Sequence, residues 1–154
     1  MGFSLNSLKL CKVLSQEWSG KNVLSLGNPF LAPWMMGQAG LESGLIRSVL
    51  KLGRKHQSVR LFQKGFRAAS FKILDISSEE GADHIHDLNL PCRNDTLRSA
   101  FQAVIDLGTQ EHIFNNQIFL ENVFKMLCPG GVYVFAVPAN GFLEHGFRQY
   151  SPTF

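Results

Sequence analysis

Four short, almost continuous apolar runs, each closed by a turn or acidic residue, constrain what this chain of 154 residues can become. They are NVLSL (22–26) before Gly27, FKILDI (71–76) with Asp75 near its end, AVIDL (103–107) before Gly108, and VYVFAV (132–137) before Pro138. Runs of this length without polar alternation read as strands covered on both faces, which is the habit of parallel sheets. HIHDL (84–88) reads as a further strand, and the gap before it is too short for a helix with two loops. Between the runs, Leu41, Leu45, Val49 and Leu52 recur at helical spacing and predict a helix over 41–52 that ends at Gly53. Leu120, Val123, Phe124 and Leu127 predict another over 116–127, stopped by Cys128-Pro129-Gly130-Gly131. Leu5, Leu8, Cys11 and Leu14 mark a lead-in helix, whereas Pro33, Gly37 and Gly40 argue against one uninterrupted helix in the stretch that follows Pro29.

Alternating strands and helices give an α/β fold. The expected architecture is a Rossmann-like, doubly wound, mostly parallel sheet of about five strands with flanking helices. One domain is expected, with residues 1–20 as the lead-in and 21–154 as the core. Ligands in such sheets bind beyond the carboxyl ends of the strands, which here carry Gly27-Asn28, Asp75, Asp87-Leu88, Gly108-Thr109 and Pro138-Ala139.

Composition removes several classes. No window reaches the run of about 18 apolar residues that a membrane span needs. Lys9, Lys12 and Glu17 stand where a signal peptide would be apolar, and Asn6 replaces the Ser or Thr of a myristoylation signal. Cys11, Cys92 and Cys128 are an odd number without a CxxC pair, so neither a disulfide framework nor a thiolate zinc site is expected, and a reducing, cytoplasmic setting is. Net charge is +3 but divides unevenly: residues 1–72 hold 11 Lys/Arg against 2 acids, residues 73–154 hold 4 against 10. The basic stretch 51–72, with few aromatics among its charges, reads as a solvated helix face and loop rather than a nucleic-acid surface.

In order, VLSLG (23–27), ILD (73–75), HDLNLP (86–91), VIDLGTQEH (104–112), MLCPGG (126–131) and VYVFAVP (132–138) resemble the class I S-adenosylmethionine-dependent methyltransferases. The resemblance spans about residues 20–150 and is most specific in its second half. It implies S-adenosyl-L-methionine as cofactor and a small-molecule acceptor, such as a metabolite or cell-surface sugar precursor methylated on oxygen or nitrogen. By it, Gly27 and Asn28 belong to the turn beside the cofactor's methionine part. Asp75 takes the ribose hydroxyls, Asp87 and Leu88 read adenine, and Gly108 and Thr109 lie beneath the sulfonium. Glu111 and His112 match a Glu-His pair that positions cofactor or substrate, or caps the following turn. His145 lies where the acceptor site is built, as a base for an acceptor hydroxyl. Gly141, Phe142, Phe147, Tyr150 and Phe154 form either an aromatic acceptor wall or the core packing of a chain end.

Two departures accompany the resemblance. Ser25 stands where the family has an acid for the cofactor's ammonium, and Gly27 is followed by Asn28 and Pro29 rather than by further glycines. The family fold also continues past the fifth strand, so the chain reads either as C-terminally truncated or as a minimal variant whose sheet edge is covered by a homodimer or by residues 142–154. A catalytically inactive methyltransferase-like binding module is therefore the alternative. A nicotinamide dehydrogenase is disfavoured by the missing GxGxxG. His84 and His86, with Asp83 and Asp87, read as polar residues facing water, and no metal site is expected.

Overall fold

The computed structural model describes residues 4–139 and 145–151. Helix α1 (Leu5–Val13) is opened by a reciprocal Ser4–Ser7 capping pair. Strand β1 (Asn22–Leu26) leads through a loop to α2 (Pro33–Gln38), α3 (Ser43–Leu50) and α4 (Arg54–Arg60), which runs into a π-helical turn over Leu61–Gly65. Strands β2 (Ser70–Asp75) and β3 (His84–Ile85) follow, then β4 (Phe101–Asp106), α5 (Asn116–Met126) and β5 (Leu127–Phe135).

All strand pairs are parallel, in the order β3-β2-β1-β4-β5. The chain winds outward from β1 in one direction to β3, returns, and winds the other way through β4 to β5. The carboxyl ends of β1 and β4 therefore meet where the winding reverses, and helices above and below diverge there to leave a crevice. This is the expected α/β, Rossmann-like architecture.

The period-2 alternation of the strands sorts the core into two layers. Val23, Phe71, Ile73, Ala103 and Ile105 face α1 to α4, while Leu24, Leu26, Leu74 and Val104 face α5 with its Phe119, Val123 and Met126. In the first layer Phe62 stacks on Phe71 at 4.2 Å and meets Phe66 edge-on at 5.1 Å. The basic stretch is thus more than a solvated face: α4 and its π turn carry Leu61, Phe62 and Phe66 into the core. The charge density of 51–72 masked that apolar stripe.

Three further expectations are corrected. The strand at 84–88 is only His84–Ile85, because the backbone turns after the His86 N–H donates to the Asp75 carbonyl (2.9 Å). The helix over 41–52 is trimmed to α3, with Leu41 before it and Leu52 after it. β5 is not buried on both faces: among the described strands it is outermost, with Val132 37% and Phe135 43% exposed. It also begins earlier than expected, since a register shift opposite Phe101 and Ala103 accommodates Pro129 within it.

α5 does more than cover the sheet. Its Asn122 is fully buried, accepts from the Cys92 N–H (2.8 Å) and donates to the Leu90 carbonyl (2.8 Å), anchoring the loop that follows β3. Asn122→Ala is expected to lower stability by roughly 1–3 kcal/mol in urea unfolding, the cost of stranding these backbone groups. A loss below about 0.5 kcal/mol would show that water replaces the amide.

Candidate functional site

β4 ends in an acid that the sequence reading passed over. Asp106 has no exposed surface, yet its carboxylate accepts from four donors: the Gly108 N–H (3.1 Å) and Thr109 N–H (2.7 Å) at Oδ1, and the Gln110 N–H (3.1 Å) and Tyr133 O–H (3.1 Å) at Oδ2. Those donors require the chain to curl back immediately after the strand. Gly108 makes the curl possible with a φ of +110°, a region that side chains disfavour. Burial is the dominant influence on the acid and lifts its pKa from an ordinary 3.8 to about 6 against the pull of its donors. The only sequence signal for this role was an acid closing a strand and followed two residues later by glycine.

The curl delivers the 3-10 turn Gln110–His112 to the mouth of the crevice. Thr109 Oγ1 donates to the Leu26 carbonyl (2.8 Å), pinning this turn to the end of β1. Two cavities flank it. The first, of about 240 Å³, is lined by Gly27, Leu74, Asp75, Ile76, His86, Asp87, Leu88, Asn89, Thr109, His112 and Ile113. The second, of about 440 Å³, is lined by Ser4, Ser7, Leu107, Gly108, Glu111, His112, Ala136, Val137, Pro138, Ala139 and His145. His112 belongs to both.

Most residues singled out from the sequence gather here. Gly27, Asp75, Asp87, Leu88 and Thr109 share the first cavity, and Gly108, Glu111, His112 and His145 share the second. Among the described residues, Asp75 Oδ1 accepts only from the adjacent Ile76 N–H (2.7 Å). Asp87 Oδ1 accepts from the Asn89 N–H and Nδ2 (both 2.9 Å), bonds that hold its carboxyl below the usual range. Asn89 in turn accepts from the Phe114 and Asn115 N–H groups, fixing the Asp87 loop to the start of α5.

Asn28 does not join them. Its Nδ2 donates to the Glu80 carbonyl (2.8 Å) and its Oδ1 accepts from Ser58 Oγ (2.6 Å), so it knits β1 to α4 and lines a different cavity. Ser25, buried, donates to the Gly27 carbonyl (2.7 Å) and closes the end of β1 on itself.

Residues 145–150 lie across the Gln110–His112 turn. The Phe147 N–H donates to the Glu111 carbonyl (2.6 Å), Arg148 Nη2 to the Phe114 carbonyl (2.8 Å), and the Tyr150 N–H to the Pro138 carbonyl (2.8 Å). The aromatic wall is not built by this segment. Phe147 is 71% exposed and meets Phe114 edge-on at the surface, and Tyr150 is buried beside Gln110 and Asn116; Gly141, Phe142 and Phe154 lie outside the described residues.

A parallel sheet wound 3-2-1-4-5 with a crevice at the β1/β4 reversal defines a Rossmann-like fold, and the solved structures it resembles make that fold methyltransferase-like. The chain is similar to an S-adenosylmethionine dependent methyltransferase from Mesorhizobium loti, with a TM-score of 0.51 and 17% identity over 88% of this chain and 56% of that one. It is also similar to the trans-methyltransferase CalH, solved in complex with SAH, with a TM-score of 0.50 and 13% identity over 85% of this chain and 37% of that one. The chain therefore spans about half or less of the length of these two neighbours. No family model matches it, and neither does any curated protein. No described helix is long and apolar enough to cross a membrane.

The raised pKa of Asp106 has a sign. Its protonated form is favoured by the fold, so its contribution to stability is fullest below about pH 4 and is lost as pH rises through about 6. Urea titrations of the wild type and Asp106→Asn at about pH 4 and about pH 7 are expected to show the wild type losing up to about 3 kcal/mol relative to the variant on going to the higher pH. A flat or opposite difference would mean that the four donors outweigh burial.

Proposed function

We propose that this chain is the cofactor-binding core of an S-adenosyl-L-methionine-dependent methyltransferase acting on a small molecule. The observation that carries the reading is the pair of cavities joined at His112. One holds Asp75, Asp87 and Leu88 beyond β2 and β3, and the other holds Glu111 and His145 beyond β4 and β5.

The residues present suit the nucleoside half of the cofactor. Asp75 keeps a carboxylate oxygen with no partner among the described residues, suited to a ribose diol. Asp87, kept ionised by Asn89, can accept from an exocyclic amine while Leu88, 4% exposed, offers an apolar surface for a ring. Support is thinner at the methionine end, where Ser25 and Asn28 spend their polar atoms on neighbouring protein groups. The bound cofactor would supply an electrophilic methyl group. What remains for the chain is to align an acceptor in the second cavity and, for an acceptor hydroxyl, to take its proton, with His145 or His112 in reach of that space.

Titration calorimetry with S-adenosylhomocysteine is the direct test. Saturable binding to the wild type is expected, weakened at least about tenfold in Asp87→Ala by loss of a charge-assisted hydrogen bond. Absence of binding to the folded chain would favour the inactive binding module, which the closed β1 turn supports.

A further inference from the structure

The Gln110–His112 turn buries a carboxylate without giving it a full set of partners. Glu111 is 2% exposed. Its Oε1 lies 3.5 Å from His145 Nε2 and 4.0 Å from His112 Nε2, too far for strong hydrogen bonds, and its Oε2 is buried with no hydrogen-bond partner among the described residues. A buried anion left this way is costly unless a cation meets it. No Lys or Arg pairs with it among the described residues; what converges on it are two imidazole nitrogens.

We infer that Glu111, His112 and His145 form a site for a first-row divalent transition-metal ion such as Zn²⁺. One ligand atom from each residue lies within 4.8 Å of the others. Ligands held at 2.0–2.2 Å around a tetrahedral ion are spaced roughly 3.3–3.5 Å apart. The two Glu111–His distances of 3.5 and 4.0 Å thus need to close by at most about 0.7 Å, and the ligand atoms of the two half-exposed imidazoles, within 4.8 Å of each other, by at most about 1.5 Å through side-chain rotation. Two imidazoles and one carboxylate suit a borderline ion rather than Mg²⁺ or Ca²⁺, which favour all-oxygen shells.

The local backbone is shaped to hold this arrangement. Gly146, at φ +73°, packs so closely on Glu111 that a Cβ there would lie 2.7 Å from the Glu111 carbonyl oxygen, and the Phe147 N–H bonds that same oxygen. His145 is thereby laid over Glu111, its ring 5.1 Å from that of His112. Side chains of His112 and His145 are 50% and 53% exposed, and both border the 440 Å³ cavity, so three protein ligands leave a coordination position facing that space. There the ion would polarise an acceptor oxygen, a role that rests on the methyltransferase reading, whereas the binding of the ion does not.

The test is titration of the chelator-stripped full chain with Zn²⁺ by calorimetry and with Co²⁺ by visible absorption. One equivalent is expected to bind, with an increase in Tm and a Co²⁺ spectrum lacking thiolate charge transfer. Affinity is expected to fall by at least about tenfold to a hundredfold in Glu111→Gln and in His145→Ala, and to weaken in Gly146→Ala, while His84→Ala binds as the wild type does. His145 is half exposed, so its variant retains the fold and decides the matter even where Glu111→Gln does not fold. No saturable binding to the wild type, or undiminished binding in His145→Ala, would overturn the inference. Metal binding without S-adenosylhomocysteine binding would uphold it while removing the cofactor reading.

Discussion

The buried carboxylate of Asp106 is the constraint around which the functional end of the sheet is arranged. A carboxylate removed from water at the end of β4 demands donors, and the nearest are the N–H groups of Gly108, Thr109 and Gln110. Supplying them forces the chain into a curl that only a glycine at 108 admits without strain. The curl then determines where Thr109, Gln110, Glu111 and His112 stand. Tyr133 completes the set from β5, held as a donor because burial and the adjacent acid push its own pKa upward. One desolvated charge thus ties together two strands, the 3-10 turn and both cavities.

Around that curl the protein shows two different economies of polar atoms. Toward β2 and β3, Asp75 and Asp87 are steadied by one or two backbone-proximal bonds and keep capacity toward the first cavity. Toward the β1 turn, Ser25 and Asn28 satisfy themselves within the protein. The same crevice is therefore open chemically toward β2 and β3 and closed at the β1 turn.

Strands and helices were readable because each strand's apolar residues have only the sheet's two faces to occupy. Asn22–Leu26 was given to the residue by its apolar run and flanking turn, and α5 to within a residue by its helical spacing. The elements misjudged are those whose pattern was overlaid by something else. Charge hid Phe62 and Phe66 in the basic stretch, and apolar content made β5 look interior, whereas it is outermost among the described strands with Val132 and Phe135 partly exposed. Asp75, Asp87, Leu88 and Thr109, marked locally as strand ends, line one cavity in the structure. Asp106 was missed because burial, which makes it matter, leaves no mark on the sequence.

The sequence by itself determined the order of strands and helices along the chain, since hydrophobic period and turn chemistry act over a few residues. Only the tertiary structure decided that Asn28 turns away from the crevice, that Phe147 faces outward, and that His145 closes on Glu111 across 34 residues of chain. Those outcomes follow from which buried polar groups still needed partners once the sheet had formed, a demand that exists only when distant segments are already in contact.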